Sequence, residues 1–225
     1  MITNTNMKKT AIILGATGLT GSLLLDELLE DSLYEKVKLF SRSSVEKNHP
    51  KIEEYLVDLL DMDSFASDFR GDVVFCCIGT TKAKTPDKEQ YKNIDYGIPV
   101  NAAKLAEQNK IPIFIVISAL GADPNSSVFY NKLKGEMQTE VLKYKIDQTY
   151  ILQPSLISGQ RNEKRFGEDL ANALMKVFGF LVPKKYKRIS ASTIAKAMQI
   201  LATKGYPETI VSSPEIKTLV ESPQR

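Results

Sequence analysis

Short apolar runs without polar alternation recur through the first two-thirds of the chain, and each is followed by helical spacing. The runs are Ala11 to Leu14, Val37 to Phe40, Glu54 to Val57, Val73 to Ile78, Ile113 to Ile117 and Thr149 to Leu152. A strand that is apolar on both sides must be covered on both sides, so helices are required above and below a parallel sheet. Between the runs, apolar residues recur at helical spacing, as in Gly18 to Leu29 with Leu19, Leu23, Leu24 and Leu28. Pro99 to Gln108 and Tyr130 to Lys143 read the same way. This alternation predicts an α/β fold with a doubly wound parallel sheet, each crossover right-handed.

A length of 225 residues suits one such domain, with residues 1–6 expected to be disordered. The last third changes character: helices are expected over Phe166 to Phe180, Ser192 to Ala202 and Pro214 to Val220, with a short strand at Thr209 to Ser212. No linker separates it, so residues 155–225 read as a small C-terminal substrate-side cap on the same domain.

Charge excludes some partners. Lys and Arg total 30 against 27 acidic residues, which is too mild an excess for nucleic acid or an anionic membrane. The basic cluster Lys184-Lys185-Tyr186-Lys187-Arg188 reads as a solvated loop. No apolar run approaches the ~20 residues that span a bilayer. Lys8 and Lys9 precede only Thr10 to Leu14, too short for a signal-peptide core. The two cysteines, Cys76 and Cys77, are adjacent in a strand and point to opposite faces, so they read as core thiols. A cytoplasmic location is the expectation. The only histidine, His49, sits in a polar loop, so no metal site is expected.

Between the first strand and first helix lies Gly15-Ala16-Thr17-Gly18-Leu19-Thr20-Gly21. Gly15 permits a tight exit from the strand, Gly18 a close backbone approach to a diphosphate, and Gly21 close helix packing. The helix then offers N–H groups and a positive dipole end to phosphate. The spacing is GxxGxxG rather than GxGxxG, but its place after a buried strand marks a Rossmann-type dinucleotide loop. The second strand ends in Phe40-Ser41-Arg42-Ser43 with no carboxylate, where an NAD binder commonly puts one. Arg42 is suited to a 2′-phosphate, so the expected cofactor is NADP(H). Asp58 and Leu59 end the third strand, suited to adenine, although Asp58 serves equally as a helix N-cap. Ile78, Gly79 and Thr80 end the fourth, where glycine allows close passage of the cofactor.

Tyr130 and Lys134 lie one turn apart on a helix face, and Ser118 ends the fifth strand. A nearby ammonium favours the phenolate, so Tyr130 can exchange a proton with a substrate oxygen as hydride moves. Ser118 would orient a carbonyl and stabilise its developing charge. The apparent acid pair Asp61 and Asp63 instead reads as the opening of a helix.

The segments Gly15 to Gly21, Phe75 to Thr81, Ser118 to Asp123 and Phe129 to Glu136 together resemble the atypical short-chain dehydrogenases of the Tat-interacting-protein-like oxidoreductase subgroup. The likeness extends through Gln153-Pro154-Ser155-Leu156 and covers nearly the whole chain. It implies NADPH binding and a Ser-Tyr-Lys triad carried by Ser118, Tyr130 and Lys134. Tyr130, Lys134 and Pro154 would also touch the cofactor. Asp95, in Asn93-Ile94-Asp95-Tyr96, stands where the wider superfamily completes a proton relay with Asn. Ala119 occupies the place of a second serine found in many relatives. The expectation is an oxidoreductase reducing a carbonyl or oxidising an alcohol on a small-molecule substrate, as monomer or homodimer. The rival is a non-catalytic NADP(H)-binding redox sensor or regulator.

Overall fold

The computed structural model of the chain describes residues 8–158 and 186–222. Its centre is a seven-stranded, wholly parallel sheet in the order β3-β2-β1-β4-β5-β6-β9. The strands are β1 (Lys9–Leu14), β2 (Tyr34–Ser41), β3 (Ile52–Leu56), β4 (Val73–Cys76), β5 (Ile113–Ile117), β6 (Gln148–Gln153) and β9 (Ile210–Ser212). Order reverses between β1 and β4, the switch point of a doubly wound sheet. Every residue of β4 and β5 is buried, as two-sided covering demands.

Side-chain alternation divides the core into two layers. Ala11, Ile13, Val37, Leu39, Phe75 and Ile115 meet helices α1 (Leu19–Glu30) and α5 (Ala191–Lys204) on one face. Ile12, Leu14, Phe40, Val74, Phe114 and Val116 meet α3 (Ile98–Gln108) and α4 (Phe129–Val141) on the other. On that second face Phe40 stacks on Tyr55 at 4.5 Å between centroids and on Phe65 at 5.1 Å. Each fully buried side chain of this kind contributes about 1.5–3 kcal/mol against exposure.

Three stretches refine the expected element list. A short α2 (Lys88–Lys92) runs into a π-helical turn at Asn93–Gly97 and on into α3, so the helix before β5 starts about ten residues earlier than its periodicity suggested. Met62–Phe65 forms a single 3-10 turn with Asp61 at its N-cap position but without a side-chain capping bond, where the acid pair was expected to open a helix. After β6, two short strands, β7 (Ile157–Ser158) and β8 (Ile189–Ser190), pair with each other.

Of the segment read as a cap, the described residues from Ala191 onward return to the main body. Ile194, Met198 and Leu201 of α5 enter the core beside Leu24 and Leu28 of α1, and β9 extends the sheet beside β6. Helix α6 (Ser213–Glu221) follows, held at its start by reciprocal bonds between Ser212 and Glu215. The expected helix at Phe166 to Phe180, the loose first six residues, Lys184 and Lys185 lie outside the described residues.

Cys76 is fully buried at the end of β4, and burial pushes its thiol up to about 11. Cys77 is shifted the same way, again by burial, with its sulfur 3.9 Å from that of Met198. Both thiols are free. Since the thiolate is the nucleophile, Cys76 should resist iodoacetamide at neutral pH until the chain unfolds. Peptide mass spectrometry of native and urea-treated protein checks this, and rapid native labelling of Cys76 would contradict its burial.

Candidate active site

Because every strand pair is parallel, the residues following each strand gather on one edge of the sheet. Gly15, Arg42, Asp58, Gly79, Ser118 and Pro154 all stand within three residues of a strand end.

The glycine loop is shaped by backbone contact. Gly15 takes a φ of +87°, and a Cβ there would press on the Cys77 carbonyl oxygen at 3.0 Å. Gly21 is tighter: a Cβ would lie 2.1 Å from the Gly15 carbonyl oxygen. Helix α1 therefore sits flush on the exit from β1. Gly18 is its N-cap, in extended backbone, with no side-chain capping bond. Ala16 and Thr20 are buried, while Thr17 is exposed and Gly18 and Leu19 are half-buried. A bare backbone at the start of a twelve-residue helix, beside the β1–β4 switch point, fits the diphosphate of a dinucleotide.

Arg42 is exposed just beyond β2, where the chain bends and the Ser41 hydroxyl donates to the Ser43 carbonyl at 2.7 Å. Asp58 accepts from the Leu60 N–H at 3.0 Å, a local turn bond, and is exposed. Leu59 is buried and belongs to the cluster of Phe40, Met62 and Phe65. After β4, Ile78 lies against Gly15, and Gly79 is exposed. Thr80 is held by its N–H donating to Asp95 Oδ2 at 2.8 Å. Pro154 is buried, its carbonyl accepting from Leu120 N–H at 3.0 Å.

The most specific geometry surrounds Lys134. Its ammonium lies 3.3 Å from Asp95 Oδ1, with the two side chains 3% and 1% exposed. It also reaches the Ile117 carbonyl at 3.5 Å. Asp95 gets there because the π-helical turn adds a residue to the helical circuit and places this carboxylate at the sheet edge. One carboxylate thus joins the loop after β4 to α4, and the ammonium joins α4 to the end of β5.

Ser118 follows directly, buried, with its N–H donating to the Leu152 carbonyl at 2.7 Å. Tyr130, on the first turn of α4, is 38% exposed and so open to solvent. Helix α4 is fixed under the loop that precedes it, since a Cβ on Gly135 would lie 2.2 Å from both Asp123 C and Pro124 N. Ser118 and Lys134 are brought together at the end of β5, with Tyr130 one helical turn from Lys134. Two further residues, Gln138 on α4 and Gln153 at the end of β6, bond into this group. Gln138 carried no signal in the sequence, where glutamine on a helix reads as surface, and Gln153 stood only within a stretch of the resemblance, with no role assigned.

Among the described residues no three His, Cys, Asp or Glu side chains gather as a metal site, and no helix is long and apolar enough to cross a membrane.

Comparison with known proteins agrees with the Rossmann-type fold. The family described as NAD(P)H-binding matches residues 15–159. Protein HTATIP2 of Rattus norvegicus is 36% identical over 177 residues, covering 77% of this chain and 72% of that protein. Protein fmp52, mitochondrial, of Aspergillus niger is 33% identical over 198 residues, covering 82% and 83%. Among solved structures, the Bordetella bronchiseptica enzyme WbmG in complex with NAD superposes with a TM-score of 0.69 at 11% identity, covering 98% of this chain and 79% of that one. The last likeness is one of fold.

The expected cytoplasmic location does not stand. Several fungal relatives that match most of the chain are named mitochondrial. Free thiols and mild charge suit any reducing compartment, so they never distinguished the two.

Removing the Asp95 carboxylate should be costly, because it strands the buried Lys134 ammonium. Asp95→Ala is expected to lower stability by about 3–5 kcal/mol in urea unfolding, and adding Lys134→Met should recover part of it. Equal stability of Asp95→Ala and the parent chain would show that the pair is not buried as described.

Proposed function

From the premise that this chain belongs to the NAD(P)H-binding family, as an atypical short-chain dehydrogenase, we propose that it is an NADP(H)-dependent oxidoreductase reducing a carbonyl or oxidising an alcohol. That it binds a nicotinamide dinucleotide follows from the family. The choice of NADP(H), the reaction and the residue roles are our reading. What supports it is Tyr130 one helical turn from buried Lys134, with buried Ser118 just past β5, on the sheet edge that also bears the glycine loop.

The residues fit such a cofactor. Gly15 to Thr20 would hold the diphosphate on bare backbone, with Arg42 at the 2′-phosphate and Asp58 and Leu59 toward adenine. Asp58 has a second carboxylate oxygen beside its turn bond, whereas the Leu59 side chain is buried with Phe40 and Met62, which leaves only its backbone for such a contact. Ile78, Gly79, Thr80 and Pro154 would border the nicotinamide half. The nicotinamide, when bound, supplies or accepts the hydride.

The chain's own groups would manage the proton and the charge. Tyr130 exchanges a proton with the substrate oxygen, its exposure giving it access to that atom. Lys134 has donors to Asp95 and Ile117, which leaves the third for a ribose hydroxyl or the phenol side. Asp95 holds that ammonium in place rather than touching substrate. The Ser118 hydroxyl donates toward the oxygen as negative charge grows on it.

Two measurements test the reading. Arg42→Asp should weaken NADPH binding by about ten- to a hundredfold while leaving NADH nearly unchanged, read by fluorescence titration. Equal loss for both cofactors would refute the 2′-phosphate assignment. With a panel of aldehydes and ketones, Tyr130→Phe should cut NADPH oxidation by about 10²–10⁴-fold. Turnover that survives this change removes the proton-transfer role, and tight NADPH binding without turnover on any carbonyl moves the chain to the sensor class.

A further inference from the structure

Helix α4 carries a third polar residue on the row that begins with Tyr130 and Lys134. Gln138 follows at the same spacing of four, so the three share one helix face. Gln138 is 6% exposed, an unusual burial for an amide, and both its ends are bonded. Its Nε2 donates to Ser118 Oγ at 2.5 Å, and its Oε1 accepts from Gln153 Nε2 at 3.1 Å.

The direction of this chain of bonds has a chemical consequence. A serine hydroxyl has one proton to give and lone pairs that receive. With Gln138 donating, Ser118 receives and its own proton is not spent on Gln138. Were Gln138 turned over, its carbonyl would take the serine proton and Ser118 would have none for a substrate. Gln153, at the end of β6, takes part in the choice: its Nε2 donates to Gln138 Oε1 at 3.1 Å, which engages the carbonyl end of Gln138 there.

We propose that Gln138, oriented by Gln153, is a positioning residue that keeps the Ser118 proton available to the substrate oxygen. The assignment rests on the carbonyl–alcohol reading above for its purpose, but not for its geometry. It also bears on Ala119, which is buried where many relatives carry a second serine: the remaining hydroxyl, on Ser118, accepts from Gln138.

Gln138→Glu tests it with little change of shape. A carboxylate can still accept from Gln153, but it captures the Ser118 proton. The expected result is a kcat about a hundredfold lower for carbonyl reduction, with NADPH affinity little altered and Tm lowered by the buried carboxylate. Gln138→Met, which removes the donor without adding charge, should give a fall of the same order.

A second readout needs no turnover. In ¹⁵N-labelled protein the side-chain amide signal of Gln138, assigned by its disappearance in Gln138→Glu, should move when Ser118 becomes Ala. An unmoved signal would mean that the amide does not donate to Ser118, and it overturns the proposal even in an active enzyme. A signal that moves while Gln138→Glu retains the parent kcat overturns the positioning role. A parent chain inert toward every carbonyl, yet showing the moved signal, overturns the oxidoreductase reading and the purpose assigned to Gln138, while leaving the bond itself established.

Discussion

A carboxylate and an ammonium enclosed at the end of the central strands hold the edge of this sheet together. Isolated, either charge would be expelled by the cost of leaving water; together they stay only because each has further partners. Asp95 takes Lys134 with one oxygen and the Thr80 N–H with the other. Lys134 adds the Ile117 carbonyl. Four segments meet in that arrangement: the loop after β4, the π-helical turn, α4 and the end of β5. Its contribution is positional rather than a gain in stability over an apolar core. A loop that must follow a charge pair has few alternative places to lie.

Much of this was legible in the amino-acid sequence because buried parallel strands leave a plain mark. Ile113–Ile117 is uniformly apolar, and no other element type needs both of its faces covered at that length. The glycine loop was legible for a related reason, since Gly15 and Gly21 occupy places where a side chain collides with backbone. Here a residue type reports a distance directly.

What escaped the sequence had no such mark. A π-turn inserts one residue into a helix, and a single insertion barely disturbs a hydrophobic period, so the aim of Asp95 at Lys134 was invisible. Gln138 and Gln153 look like ordinary surface amides until Ser118 is placed between the strands that bring them together. The return of α5 and β9 to the main body was hidden because an amphipathic helix shows that it has an apolar face, never which surface it covers. Leu59 was similarly ambiguous: a leucine after a strand can pack outward or join Phe40 and Phe65, as it does here. The location in the cell could not be read from two reduced thiols at all.

The fit of Gly135 under Asp123 and Pro124 has an effect on how such a chain can diversify. There the helix that bears Tyr130 and Lys134 is seated by main chain against main chain. Rim residues outside this joint and the Asp95–Lys134 arrangement are therefore at liberty to change in size and polarity without shifting the phenol or the ammonium. Preference among substrates can drift over generations while the reacting centre keeps its coordinates, and the glycine is the part of the arrangement that cannot follow.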